Sequence, residues 1–415
     1  MIVHIDCNSY FASCEIADHP ELAEQPVIVS SSNENNGGII LALNKPAKEL
    51  GLKRGLPLFQ AFKNHKPDEP YILNGTTVLF FEVNHKKYGA ISNQIMSLVQ
   101  KQEIVLDFVQ YSVDEFFGYI PVDEPEELRP FVQRVKDLIE TETHIPVSCG
   151  CASTYTLAKV ATHFAKKHSG YNGICIMPED KREKALRLLP IAEVWGIGRA
   201  VQARLAKTPI KTAWDFTQQP EAYILKQFNA TVLNTWRELR GVLAIVLTNH
   251  NQHQSISHTR TLSKTSHDLN YLLGQLSSYT SAAAFKMREQ HSCCCQLRVF
   301  LQTNRHRPDL PQYANEQMVK FAEPESDSAT LIRAASQAFT AIFRPNYEYK
   351  RLGVTLEKIV DANTLQLGLF DDPQKQRQRK AQAAMDAINR KYDRELVHSG
   401  NFQEESDFNP GITRL

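Results

Sequence analysis

Three carboxylates stand where they could share a metal ion. Asp6 ends a short apolar run, residues 2–5 with His4 inside it, that reads as a buried strand with an acid at its C-terminal end. Asp114 and Glu115 lie between two β-rich runs, 104–113 and 116–120, at or near the tip of a hairpin. Carboxylates gathered at one point repel one another unless Mg2+ or Mn2+ sits between them. A pair of such ions about 3.5–4 Å apart lowers the pKa of an attacking hydroxyl and steadies a leaving pyrophosphate. That is phosphoryl-transfer chemistry, which is mostly positioning and charge neutralisation. An Asp-Glu pair at a turn is usually just solvated. Here Tyr111, Val113, Phe116 and Phe117 place the acids inside a packed sheet, where uncompensated burial is costly.

The surrounding pattern supplies that sheet. Residues 26–29 and 38–43 read as short strands and 46–50 as a short helix closed by Gly51. Residues 88–99 carry Tyr88, Ile91, Ile95 and Leu98 on one helical face. The clearest helix is 126–143, where Leu128, Phe131, Val132, Val135, Leu138 and Ile139 follow the i, i+3, i+4, i+7 rule. Residues 146–151 form a further strand. The order β–(insert)–α–β–β–α–β is that of a split βαβ, ferredoxin-like sheet, in which the first strand neighbours the hairpin and the three acids converge. From Thr156 to about Arg240 the pattern is helical throughout. A second α+β module follows, with strands at 255–261, 296–302 and 352–358 and helices at 268–289 and 330–343. After Phe370 come a polar linker, 371–380, a weakly helical segment at 381–392 and a tail expected to be poorly ordered.

At 415 residues the chain is long enough for two to four domains. Its 42% hydrophobic and 22% charged residues exclude collagen-like, disulfide-framework and wholly disordered classes. No apolar run approaches the ~20 residues of a membrane span, and the N-terminus lacks a signal peptide's basic region. None of the eight cysteines forms a C-x-x-C pair, so buried thiols are expected rather than zinc. The net charge of +1 hides an asymmetry. Residues 1–163 hold 13 basic against 21 acidic side chains, 164–240 hold 13 against 7, and 241–370 hold 13 against 10. An acidic front suits divalent metal and basic modules suit a polyanion.

The stretches HIDCNSYFASCE at 4–15, SVDEFF at 112–117, LAKVATHFAKK at 157–167 and VWGIGRAVQARL at 194–205 occur in that order. Together they resemble the Y-family translesion DNA polymerases, and within them the UmuC branch, the catalytic subunit of bacterial DNA polymerase V. RELRG at 237–241 and QLGLFD at 366–371 also look like that branch. The resemblance spans about residues 1–370. It implies an α+β, right-hand architecture with a ferredoxin-like palm at 1–10 and 77–165 and small fingers at 11–76. A helical thumb with a helix-hairpin-helix would span 166–240 and an α+β little finger 243–362. Residues 363–415 would hold a clamp-binding peptide and a flexible tail.

It further implies that Asp6 and Asp114 bridge two Mg2+ ions (Mn2+ being possible) and that Glu115 and the Cys7 carbonyl face a metal. Tyr10, Phe11, Lys48 and Lys159 would bind the incoming nucleotide, with Phe11 as a steric gate against a 2′-hydroxyl. The fingers depart from the general family pattern: Lys45 and Pro46 stand where many members have an aromatic and an acid, and Ala42 where many have a hydroxyl. Gly196, Ile197, Gly198 and Arg199 would meet DNA phosphates through backbone N–H groups, and Gln366, Leu367, Leu369 and Phe370 would dock on the sliding clamp. Implied partners are primer-template DNA, deoxynucleoside triphosphates, the clamp, a UmuD-type dimer and a RecA filament. A cytoplasmic, nucleoid-associated place in the SOS response is implied too. The tail beyond 371 matches the branch only loosely. Two rivals stand beside this reading, a DNA-binding scaffold that has lost its chemistry and a nucleotidyl cyclase. The intact acids oppose the first, and the helix-hairpin-helix and basic second module oppose the other.

Overall fold

A computed structural model of the chain describes residues 1–31, 38–63, 65–66, 69–102, 104–122, 125–247, 253–362, 373–392 and 397. The fold divides into two units, one built on Met1–Asn249 and the other on His250–Pro410.

The first unit opens with β1 (Ile2–Cys7) and α1 (Tyr10–Ala17). Then come β2 (Val27–Ser30), β3 (Ile40–Leu43), α2 (Lys45–Glu49), α3 (Leu58–Ala61), β4 (Tyr71–Leu73) and β5 (Thr76–Glu82). These strands make a small sheet of order β3-β2-β5-β4 over its own core of Ile28, Ile40, Leu58 and Tyr71. The expected palm–fingers boundary at 76/77 therefore falls inside β5. Next come α4 (His85–Lys101), β6 (Leu106–Gln110), β7 (Glu115–Tyr119), α5 (Pro125–Thr143), β8 (Val147–Ala152), α6 (Tyr155–Lys167) and β9 (Ile174–Ile176).

The larger sheet has the order β6-β7-β1-β8-β9. Its first four strands have the ferredoxin-like arrangement, with β1 antiparallel to both β7 and β8. The fifth, β9, runs parallel to β8 and corrects the reading of 156–240 as helical throughout. Three residues are too few to show a two-residue period, so the strand hides between helices. β1 alternates between two cores. Val3, Ile5 and Cys7 pack with Tyr88 and Ile95 of α4 and Val132 and Ile139 of α5. Ile2 packs with Phe117, Leu157 and Ala161 on the opposite face, the face covered by α6. By the same period His4 and Asp6 belong to the α6 side.

Five helices complete the unit: α7 (Glu179–Leu188), α8 (Arg199–Leu205), α9 (Ala213–Thr217), α10 (Glu221–Gln227) and α11 (Ala230–Leu239). α11 is tied to α6 by a buried carboxylate. Glu238 is fully buried, and it accepts N–H bonds from Thr156 at 2.8 Å, Ala244 at 3.2 Å and Ile245 at 3.0 Å. Glu238→Gln keeps one acceptor but turns an amide NH2 toward N–H donors. We expect a loss of about 2–4 kcal/mol, since each bond to a charged group is worth about 1.5–3 kcal/mol. Trp195, Trp214 and Trp236 are the chain's three tryptophans. All lie in this unit, so urea unfolding followed by their fluorescence reads the change directly. An unmoved midpoint would show that the donors find other acceptors.

The second unit contains β10 (Ser255–Ser266), α12 (Leu269–Glu289), β11 (Ser292–Thr303), β12 (Ala314–Glu325), α13 (Ser328–Ile342), β13 (Tyr349–Asp361) and α14 (Pro373–Lys391). Its antiparallel sheet has the order β10-β13-β11-β12, and α12 and α13 share its apolar core. β12 escapes the sequence pattern because most of its side chains are exposed and those near its start are polar. α14 begins at Pro373, inside the expected linker, and is anchored: Arg288 of α12 donates two bonds to the Asp386 carboxylate, at 2.6 and 2.8 Å. All eight cysteines are free thiols, Cys295 half-buried and the others buried. No helix among the described residues is long and apolar enough to cross a membrane.

Candidate active site

The register of the larger sheet brings two of the three acids side by side. Asp6 on β1 pairs directly with Glu115, the first residue of β7. Asp114 precedes it in the β6–β7 turn, which is closed by bonds from the Tyr111 and Ser112 N–H groups to the Glu115 carbonyl. The Cys7 N–H donates to the Asp114 carbonyl at 2.9 Å, and the Cys7 side chain is buried. The Ser112 hydroxyl donates to Asp114 Oδ1 at 2.6 Å, so the turn orients that carboxylate as well.

Among the described residues, the ligating atoms that lie within 4.8 Å of one another belong to His4, Asp6 and Glu115. Asp114 is outside that group, although its charge is felt at Asp6. His4 was not singled out from the sequence; its signal is the two-residue spacing from Asp6 on one strand. The helix α6 lies over this face because Gly150, the β8 partner of His4, has no side chain. A Cβ there would stand 2.2 Å from the Thr162 nitrogen and 2.3 Å from the Ala158 carbonyl oxygen.

α6 supplies the counter-charge. Lys159 donates to Glu115 Oε1 at 2.6 Å, and Lys166 forms an ion pair with Asp6. They are seven residues apart, two turns along one helix face. Lys159 was expected near the site; Lys166 was not assigned, though the same motif contains it. The Lys159 ammonium is boxed by the rings of Tyr111 at 4.7 Å, Trp195 at 5.2 Å and Phe117 at 5.8 Å, and the Trp195 indole donates to the Tyr111 hydroxyl at 3.1 Å. A cation over aromatic faces is held electrostatically.

Burial pushes the Asp6 carboxyl up to about 6, outweighing the pull of Lys166, and the charges of Glu115 and Asp114 push the same way. Glu115 goes the other way. Burial would raise it, but the His4 ring and the Lys159 ammonium together hold it down at about 2. Burial lowers His4 to about 4, so its ring is neutral near pH 7. The two acids are thus driven apart by their surroundings, a common mark of a working site.

The other expected residues lie as follows. Lys48 is exposed on α2 and donates to the Ser9 hydroxyl at 2.8 Å. Partial desolvation of its ammonium, although the residue as a whole is exposed, lowers its pKa, and nearby Lys166 adds to the shift. Buried Asn44 fixes α2 by accepting from the Val27 and Ala47 N–H groups. Tyr10 is buried and gives its hydroxyl to the Tyr88 carbonyl at 2.6 Å. Phe11 is half-buried and stacks on Tyr88 with centroids 4.4 Å apart. Gly196 takes a φ of +86°, and a Cβ there would meet the Thr235 hydroxyl at 2.3 Å, so only glycine fits. Ile197 turns its side chain into the core and gives its N–H to the Val194 carbonyl. Gly198 and Arg199 are exposed at the start of α8. The segment 366–370 lies outside the described residues.

Residues 5–163 match the model of the impB/mucB/samB family, and 253–369 match that family's C-terminal domain. The chain is 33% identical to the UmuC protein of Salmonella typhimurium, over 90% of this chain and 86% of that protein. It is 31% identical to the MucB protein of Escherichia coli, over 96% and 93%. Among solved structures, a Y-family DNA polymerase chimera of Dbh and Dpo4 superposes with a TM-score of 0.69 at 21% identity, covering 87% of this chain and 99% of that one. An insertion ternary complex of Dbh DNA polymerase superposes with a TM-score of 0.56 at 20% identity, with the same coverage.

Proposed function

The chain belongs to the impB/mucB/samB family, on the UmuC branch of the Y-family DNA polymerases, and from that premise we propose how its residues carry the reaction. It is a DNA-directed DNA polymerase of error-prone translesion synthesis in the SOS response. Such enzymes are metal-dependent nucleotidyltransferases. The observation that carries the residue assignment is the strand register that sets Asp6 against Glu115 with Asp114 at the adjoining turn.

These residues fit hard divalent cations. The donors are carboxylate oxygens, and two lysine ammoniums already rest on them as positive charge. Asp6 stands at about 6 because its buried charge is incompletely met. Asp6, Asp114, Glu115 and the Cys7 carbonyl are proposed to hold two Mg2+ ions, with Mn2+ as substitute. When bound, the ions lower the pKa of the primer 3′-hydroxyl and neutralise the departing pyrophosphate. The protein's part is orientation. The Ser112 hydroxyl aims Asp114, and the β1–β7 pairing fixes the spacing of Asp6 and Glu115. Lys159 and Lys48 exchange their present partners for the triphosphate as point charges. Tyr10 acts through its backbone at the start of α1, where N–H groups suit phosphate. Gly198 and Arg199 receive a DNA phosphate without reading sequence. Palm, fingers, thumb and little finger are proposed at the boundaries given above, except that the palm–fingers division moves to the end of β5, which pairs within the small sheet. Primer extension on undamaged and abasic templates, with and without UmuD-type and RecA partners, tests the reading. No extension of either template under any condition would favour the scaffold.

The residues 366–370 are proposed as the sliding-clamp peptide. Gln366 would satisfy its amide at a pocket rim, and Leu369 and Phe370 would fill an apolar pocket. Burying each is worth about 1.5–3 kcal/mol. Replacing both by Ala is therefore expected to weaken clamp binding on the order of a hundredfold, near 3 kcal/mol, and to spare clamp-free extension. Wild-type clamp affinity in the double variant would remove the assignment.

A further inference from the structure

We propose that His4 is a positioning residue that holds Glu115 in place when Lys159 leaves it. The proposal rests on the reading above, in which Glu115 is a metal ligand and Lys159 moves to the triphosphate.

His4 is an unusual occupant of its place. It is 1% exposed in the middle of β1, packed against Phe117 with ring centroids 4.5 Å apart and planes tilted by 38°, where an aliphatic side chain would serve the core without polar cost. Its two ring nitrogens face different things. Nδ1 lies 2.8 Å from the Thr162 hydroxyl, the shortest of three contacts that oxygen makes; the Ala158 and His4 carbonyls are at 3.0 and 3.3 Å. A hydroxyl has one proton to give, and distance alone does not decide between Nδ1 and the carbonyls; we assign it to Nδ1 on what the other ring nitrogen faces. That leaves the imidazole proton on Nε2, whose nearest acidic neighbour is Glu115 Oε1 at 3.4 Å. The other tautomer would set a lone pair against a carboxylate.

Yet this last bond is not made. Nε2 stands 3.4 Å from Oε1 and is a buried nitrogen without a hydrogen-bond partner. The cause is competition. Lys159 holds the same oxygen at 2.6 Å. With Lys159 drawn to a triphosphate, Glu115 loses its short bond, and Nε2–H is the donor placed to replace it. His4 cannot move away, since Thr162, Phe117 and the β1 backbone fix the ring. Donors behind a metal-binding carboxylate commonly contribute ten- to hundredfold in metal affinity.

The test titrates Mn2+ calorimetrically into the full chain bound to primer-template and a non-hydrolysable deoxynucleotide. His4→Leu is expected to weaken Mn2+ about tenfold and to lower kcat more than it changes KM. Its melting temperature should not fall, because an apolar side chain replaces a buried, unmet polar atom. His4→Gln returns an N–H to the Nε2 position and should recover most of the Mn2+ affinity. Glu115→Gln, run in parallel, reads the parent assignment. Loss of Mn2+ binding in Glu115→Gln with an unchanged isotherm in His4→Leu overturns the role of His4 alone. An unchanged isotherm in Glu115→Gln overturns the metal assignment and the role of His4 with it. A His4→Leu defect that tracks a fall in melting temperature and is not rescued by Gln also overturns the proposal, since that marks a merely structural residue.

Discussion

Asp114→Asn is expected to reduce nucleotide incorporation by three orders of magnitude or more while primer-template affinity stays within about threefold of wild type. The first half follows from charge. Asp6 faces Glu115 across the β1–β7 pairing, with Asp114 at the adjoining turn, and burial pushes the Asp6 carboxyl up. On the proposed assignment, bound cations would offset these charges, and stabilising charge in the transition state is worth several kcal/mol per lost contact. Asparagine keeps the shape and can still accept from the Ser112 hydroxyl, which now donates to Asp114 Oδ1. What would be lost is the one negative charge that the proposed assignment gives Asp114 at the metals. The second half follows from the distribution of charge along the chain: the excess of basic side chains, which suits a polyanion, is carried by 164–240 and 241–370, and Asp114 belongs to neither segment. Single-turnover primer extension and a fluorescence-anisotropy titration with the same duplex measure the two quantities. Incorporation within tenfold of wild type would remove Asp114 from the metal site.

Much of this site was legible in the sequence because each part has a short-range signature. An acid ending an apolar run marks Asp6, and a dipeptide between β-rich runs marks the hairpin. A ferredoxin-like element order makes them neighbours. The missing parts have long-range causes. His4 reads as one polar residue in a buried strand; only the register with Glu115 and the approach of α6 over Gly150 make it a neighbour of the carboxylate. Lys166 sits in a quoted motif, but its pairing with Asp6 depends on α6 crossing β1 at that point. β9 is three residues long and defined by a partner more than twenty residues earlier. β12 presents polar side chains, and its place comes from hydrogen bonding to β11 rather than from burial.

Phe11→Ala is expected to raise ribonucleotide use relative to deoxyribonucleotide use by a few hundredfold, on the order of 3–4 kcal/mol. If Phe11 is the gate that the family resemblance implies, it excludes only if it cannot yield, and its surroundings brace it. Its ring stacks on Tyr88 at 4.4 Å, nearly parallel at 18°, and meets the edge of His85 at 5.8 Å. Tyr88 in turn is held at both ends. Its hydroxyl donates to buried Glu15 at 2.6 Å, and its carbonyl accepts the Tyr10 hydroxyl at 2.6 Å. Lys87 fixes Glu15 from the other side at 2.7 Å. A 2′-hydroxyl pressed against Phe11 thus meets a braced ring rather than a rotating one. Alanine opens that space and leaves the brace intact, so the fold should lose only about 1–2 kcal/mol for a half-buried ring. The measurement is the ratio of kcat/KM for a matched ribo- and deoxyribonucleotide on one template. A second substitution separates gate from core: Phe11→Leu restores bulk without the flat face and should fall between the two. An unchanged ratio in Phe11→Ala, with stability lowered, would make Phe11 a core aromatic and nothing more.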